Sequence, residues 1–154
     1  MSSTGTLPAV EQSTYVDASP DHAFEVFTER IESWWPLGTH SIFEGESDTV
    51  VFEARVGGRI YERTPDGREG DWGEVLELEA PRRIVYSWHP GHDPSEGVTE
   101  VEIRFDPEGD GTRVSIVHSG WERLGERGAK TREMYTTPDA WEGVLELYRL
   151  KASS

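Results

Sequence analysis

The chain of 154 residues contains no cysteine. Disulfides, thiolate metal sites and thiol catalysis are excluded together by that one absence. Lysine is nearly as scarce. Of the fifteen basic residues only Lys130 and Lys151 are lysine, the others being arginine. Positive charge as a whole is in short supply, with 15 basic residues against 30 acidic ones and a formal net charge of −15. A field of that sign repels phosphates and anionic lipid, so no nucleic acid and no membrane surface is expected as a partner. A salty cytoplasm or genome base composition accounts for the acidity better than a dedicated acidic binding face. No apolar run approaches the roughly 18–20 residues of a membrane span. The opening MSSTGTLPAV has neither a charged n-region nor an apolar h-region. A cytoplasmic protein is the expectation.

What the chain does have is aromatic residues. Six Trp, five Phe and five Tyr stand in a sequence that is only 34% hydrophobic, so they must supply much of the buried area. The length suits one domain with a real core. Residues 1–8 are expected to be a flexible terminus and 9–151 the domain.

The apolar pattern changes period along the chain. VEQSTYV (10–16) reads as a first strand. In ASPDHAFEVFTERI, Ser19 suits an N-cap and Pro20 the first helical position, and Phe24, Phe27 and Ile31 fall on one face. That helix is expected to stop near SWWPLG, at Pro36 and Gly38. From 49 to 119 the period is two. TVVFEARV places Val50, Phe52, Ala54 and Val56 together, Gly57-Gly58 turns into RIYERT, and PDG (65–67) is a hairpin signal before DWGEVLEL. APRR (80–83) turns into IVYSWH. VTEVEIRF then sets Thr99, Val101, Ile103 and Phe105 inward, and PEGDG leads to TRVSIVHS with Val114, Ile116 and His118 on the apolar face. The spacing predicts about six antiparallel strands in a meander plus the first strand. Segment 120–136 is long for a connection, leaving room for a short helix or a lid. Thr137 and Pro138 suit the start of a final helix with the stripe Trp141, Val144, Leu145, Tyr148. The fold class is therefore α+β, with a sheet that can curl around the last helix and leave a cavity for an apolar ligand.

SIVHSGW (115–121) poses the sharpest functional question. Adjacent strand residues point to opposite faces, so His118 and Ser119 cannot both enter one cavity. No Gly-x-Ser-x-Gly elbow is present, and a hydrolase dyad lacks its third group. His118 is read either as a satisfied core or rim histidine or as a polar group contacting a ligand. Glu74 stands between Trp72 and Leu76 at strand spacing. On the inner face it would be a carboxylate in an apolar cavity, suited to acid–base work. If Val75 faces inward, Glu74 is a solvated strand residue. Glu74 and His118 form the one acid–base pair the pattern offers, as provisional catalytic groups. Trp72, Glu74, Tyr86, Trp88, His118 and Trp121 are the candidate ligand contacts, with Trp34 and Trp35 at segment ends. HPGHD (89–93) puts two histidines and an aspartate on a turn, but no second cluster completes a coordination sphere. His40 stands alone. No metal and no cofactor are expected.

Taken in order, ASPDHAFEVFTERIESWWP, GGRIYE, DWGEVLELEAPRRIVYSW, TEVEIRFDPEGDGTRVSIVHSGW and the late aromatic helix resemble the SRPBCC (START-like, helix-grip) proteins over roughly 10–150. The branch they resemble most is that related to activators of the heat-shock protein 90 ATPase. The resemblance implies a START/Bet v 1-like helix-grip, with a curved sheet of about six to seven strands wrapped around a long C-terminal helix. It also implies an internal cavity. Such proteins include lipid and hormone binders and polyketide cyclases. Binding of a small hydrophobic or aromatic ligand without chemistry is the leading expectation. A cyclase- or dehydratase-like enzyme using Glu74 or His118 is the alternative, and a chaperone-related interaction module the third. Co-chaperones of that branch carry a large additional N-terminal domain, which is not expected with a chain of this length, and a full chaperone-activator role is therefore not the leading expectation. A homodimer and a chaperone are the protein partners considered.

Overall fold

The computed structural model describes residues 7–153 apart from 44, 91, 92, 94 and 96. Seven strands form one antiparallel sheet: β1 (Val10–Val16), β2 (Thr49–Phe52), β3 (Arg59–Arg63), β4 (Glu69–Glu79), β5 (Arg83–Trp88), β6 (Thr99–Glu108) and β7 (Gly111–Ser119). Their order across the sheet is β1-β7-β6-β5-β4-β3-β2. The six-strand meander thus runs outward from β7, and β1 returns to pair with β7, Val10 opposite His118 and Val16 opposite Thr112. Three helices pack on the concave side: α1 (Pro20–Phe27), α2 (Gly128–Met134) and α3 (Gly143–Ala152). Among the described residues no helix is long and apolar enough to cross a membrane.

Period-two patterning explains which faces meet the core. Thr99, Val101, Ile103 and Phe105 on β6, and Val114, Ile116 and His118 on β7, are all buried. Phe24, Phe27, Trp34, Phe105 and Tyr148 stack edge-to-face or tilted beneath α1 and α3, with centroids 5.1–5.9 Å apart. The stripe Trp141, Val144, Leu145 and Tyr148 is buried as its spacing predicts, and the Tyr148 hydroxyl donates to the Ala23 carbonyl at 2.7 Å.

Several boundaries differ from the sequence expectation. Ser19 does cap α1, accepting from the His22 N–H, but the helix ends at Phe27 instead of reaching Pro36. The Thr28 hydroxyl turns back onto the Phe24 carbonyl and the Arg30 N–H reaches Glu25, which widens the last turn. Ile31 still reaches the core, from a separate 3₁₀ turn. Strand β2 stops at Phe52, and Val56, expected inward, is 65% exposed beyond it. Thr137 occupies the cap position before the last helical segment, but its hydroxyl bonds Met134 and makes no cap. That segment begins as an irregular wide turn, Pro138–Glu142, with Ala140 outside helical geometry, so the regular part of the gripped helix is only ten residues. Segment 120–136 contains the anticipated short helix, α2, preceded by 3₁₀ turns over Trp121–Arg127.

Candidate functional site

Between the concave face of the sheet and the helical segments lies a cavity of about 500 Å³. Four tryptophans dominate its wall: Trp35 after α1, Trp72 on β4, Trp88 at the end of β5 and Trp141 before α3. Their centroids stand 4.8 Å (Trp35–Trp72), 5.4 Å (Trp72–Trp88), 5.5 Å (Trp88–Trp141) and 6.1 Å (Trp141–Trp35) apart, and Trp35 and Trp88 are 6.1 Å apart across the group, so the four rings pack on one another as one tilted and edge-to-face cluster. All four indole N–H groups are tied back into the protein. Trp35 donates to the His40 carbonyl, Trp72 to Glu62, Trp88 to the Tyr135 hydroxyl and Trp141 to His118, at 2.8–2.9 Å. The cavity therefore meets ring faces and edges, not indole donors.

Glycine sets the placement of Trp72. At Gly73 a Cβ would sit 1.7 Å from the Ser87 carbonyl oxygen, so only glycine lets β4 cross β5 this closely. The ladder slips on both sides of that point, between Ile60 and Tyr61 opposite and between Val75 and Glu77. The slip puts Trp72 and Val75, three residues apart, both inside, and leaves Glu74 exposed.

The carboxylate that does enter the wall is Glu62 on β3, 0% exposed. Oε1 accepts from the Ile42 N–H at 2.7 Å and the Trp72 Nε1–H at 2.8 Å, and Oε2 from the Ser47 hydroxyl at 2.6 Å and the Phe43 N–H at 3.3 Å. Every partner is a donor, as an acceptor-only carboxylate requires. All four are neutral, and no arginine or lysine among the described residues pairs with it. Glu62 was not among the sequence candidates. Its signal was there to read: in RIYERT it shares strand parity with Ile60 and Thr64, both buried. A charged residue on an apolar face is the informative exception.

His118 lies behind this wall. Its ring is wholly buried, 4.1 Å from Trp121 and 4.9 Å from Tyr135 between centroids. Because an indole N–H can only donate, Nδ1 must accept from Trp141. The proton therefore sits on Nε2, which reaches the Thr99 hydroxyl at 2.7 Å, and that hydroxyl donates to the Trp88 carbonyl at 3.1 Å. Burial pushes the imidazole from 6.5 down to about 3. Gly120, at φ +86°, turns the chain after β7 so that Trp121 folds back and donates to the His118 carbonyl at 3.0 Å. Ser119 makes no bond to the ring.

Of the six sequence candidates, Trp72 and Trp88 line the cavity. Trp121 and His118 stand one layer behind, and Glu74 lies on the opposite, exposed surface, so Glu74 and His118 do not meet. Tyr86 is buried beside Phe52 and Trp88, and its hydroxyl makes no hydrogen bond to any described residue. Burial raises its pKa and keeps it protonated. Tyr135, which sequence reading passed over, lines the cavity, and burial raises its pKa as well. With its oxygen accepting from Trp88, its own O–H is left to donate. The mouth is crossed by His40, whose Nδ1 meets the Thr39 hydroxyl and Nε2 the Asp139 carbonyl, both at 2.7 Å. His40 thus joins the segment before β2 to the turn before α3. In HPGHD, His92 lies outside the described residues. Among those described, no cluster of His, Asp and Glu is arranged to hold a metal ion.

A curled antiparallel sheet closed over a terminal helix, with an aromatic cavity between them, defines the helix-grip class of the SRPBCC superfamily. The chain belongs to the activator of Hsp90 ATPase homolog 1-like family, whose model matches residues 17–147. Among solved structures it is similar to an anthrahydroquino-γ-pyrone synthase, Txn09, at 33% identity and TM-score 0.64 over 94% of this chain and 97% of that one. It is also similar to CalC from Micromonospora echinospora, described as a self-sacrificing resistance protein, at 27% identity and TM-score 0.69 over 94% of each chain. The Aha1 dimer from Colwellia psychrerythraea shares the fold at 16% identity and TM-score 0.66, over 96% of this chain and 97% of that one. No curated protein sequence matches. Fold and neighbours together support a ligand-binding or cyclase-like role.

Proposed function

We propose that the protein binds a small apolar or aromatic molecule in the tryptophan-walled cavity and does so without chemistry. The observation that carries this reading is the cluster of four mutually packed indoles on the wall of a cavity of about 500 Å³, with every indole N–H turned back into the protein. Such a wall gives dispersion and stacking to a flat ligand, and the volume falls within the roughly 300–1,000 Å³ of small-molecule sites. The Tyr135 hydroxyl supplies one orienting contact. The acid–base groups that an enzyme would need are not favoured. His118 has both nitrogens engaged, and Glu62 has four donors on its two oxygens.

One observation favours a second reading, a cyclase-like enzyme: the 33%-identical neighbour is named as an anthrahydroquino-γ-pyrone synthase. Catalysis would then rest on enclosing and folding a reactive chain against the indoles.

Native mass spectrometry of gently purified protein, followed by a thermal-shift screen of polycyclic aromatics, tests both. A ligand at a hundredfold its Kd should stabilise the fold by about 2.7 kcal/mol. Trp88→Ala should abolish the shift. A bound compound recovered unchanged supports the binder, and one recovered with altered mass supports the enzyme. No adduct and no shift across the screen overturns the cavity reading.

A further inference from the structure

We infer that the cavity selects aromatic ligands carrying a positive charge, a protonated amine, over those carrying a carboxylate. This deepens the binding reading above and rests on it. Glu62 is the only formally charged side chain among the described residues that line the cavity, and no Lys or Arg lines it. Among the described residues its carboxylate meets no cation: two backbone N–H groups, one hydroxyl and one indole N–H surround it, and none carries charge. The wall thus presents one carboxylate that meets no cation among the described residues, in a low-dielectric setting where a cation placed in the cavity against the rings completes the pair. The rings themselves add to the preference. Indole faces attract cations more strongly than those of tyrosine or phenylalanine, and four indoles line the cavity here.

An anion finds the opposite. The four indole donors are committed, and the remaining donors are neutral hydroxyls such as those of Tyr135 and Ser41. An anionic ligand would be a second carboxylate facing that of Glu62, with no cation lining the cavity to offset either. His40, the other ionisable side chain at the cavity besides Tyr135, has both ring nitrogens occupied at the mouth. The net charge of −15 points the same way for any cation approaching from solution.

Three probes of one size and shape decide the matter: 9-anthracenemethylammonium, 9-anthracenemethanol and 9-anthracenecarboxylate. They would be titrated by tryptophan fluorescence in 0.15 M and 0.5 M salt. The expected order is cation, neutral, anion, with the cation at least tenfold tighter than the anion in both salts. A preference arising only from the acidic surface would collapse at 0.5 M salt, and that collapse would overturn the assignment to the cavity. Glu62→Gln should compress the cation-to-anion ratio below threefold, and an unchanged ratio in that folded variant would equally sink the role given to Glu62. If the variant does not fold, the wild-type order at high salt still decides. Equal binding of all three probes overturns charge selection alone. Binding of none removes the cavity reading and this inference together.

Discussion

Glu62 and His118 face the same interior from strands near opposite edges of one sheet, β3 and β7, and both are completely buried. Their surroundings nevertheless offer hydrogen bonds of opposite sense. His118 sits in a relay of alternating donors and acceptors, Trp141 to Nδ1, Nε2 to Thr99, Thr99 to Trp88, which a neutral imidazole completes and an imidazolium breaks. Glu62 receives donors only. A buried polar group is thus defined less by its identity than by the sense of the hydrogen bonds that meet it. Behind one end of the wall stands an imidazole in an alternating relay, whereas the other end holds a carboxylate met by donors and no cation among the described residues.

The sharpest way to break that contrast is to remove the Glu62 carboxylate. Glu62→Leu strands four donors, three of which belong to the segment 41–47 and its hold on β3, and the loss should be about 3–5 kcal/mol in urea unfolding. Hydrogen exchange at the Ile42 and Phe43 amides should accelerate before the rest of the sheet. An unperturbed loop with near-normal stability would show that the carboxylate is not what fastens it.

These two residues also mark what could be read in the sequence and what could not. Period two placed His118 with Val114 and Ile116, and all three are buried, because a nine-residue strand with regular register leaves its alternation no room to slip. The same rule fails at Trp72 and Glu74. The ladder irregularities around Gly73 depend on how closely β5 approaches, a distance that no local pattern encodes. Val56 fails for a related reason, since the strand it was assigned to stops four residues earlier. The indole cluster itself unites residues 35, 72, 88 and 141, and only the curled sheet with its packed helical segments brings them together. Glu62 was legible by parity but lay in a five-residue strand among polar neighbours, where one acidic side chain looks like any solvated one.

The His118 end is tested by acid. Its proton affinity in the folded protein is depressed to about 3, while the unfolded chain takes a proton near 6.5. Above pH 6.5 neither state binds that proton, so the contribution to stability is complete. As pH falls from 6.5 toward 3, the unfolded chain gains a proton the fold refuses, and stability is lost. At pH 4.5 the loss assigned to this group should be roughly 2–3 kcal/mol. It is read as the difference between the urea-unfolding pH profiles of wild type and His118→Gln. The other titratable side chain against the ring, Tyr135, stays protonated throughout that range, since burial raises its pKa. Imidazole nitrogen shifts should report a neutral ring protonated on Nε2 from pH 8 down to 4.5. A ring that titrates near 6.5 in the folded protein would dissolve the contrast with Glu62.

The smallest expected effect sharpens the comparison from outside the wall. Glu74 carries the same functional group as Glu62, only one strand away, and it points into solvent because of the slip at Gly73. Glu74→Gln should therefore change stability by no more than about 0.5 kcal/mol. It should leave the affinities for the three anthracene probes and their charge order where they stand. Gly73→Ala is the complementary change. It drives a methyl group into the Ser87 carbonyl and disturbs the crossing that sends Trp72 inward and Glu74 outward. If Glu74→Gln weakened binding of the cationic probe as much as Glu62→Gln does, the electrostatics of the cavity would belong to the acidic protein as a whole. If it does not, the selectivity resides in Glu62, the carboxylate that the fold encloses without a cation among the described residues.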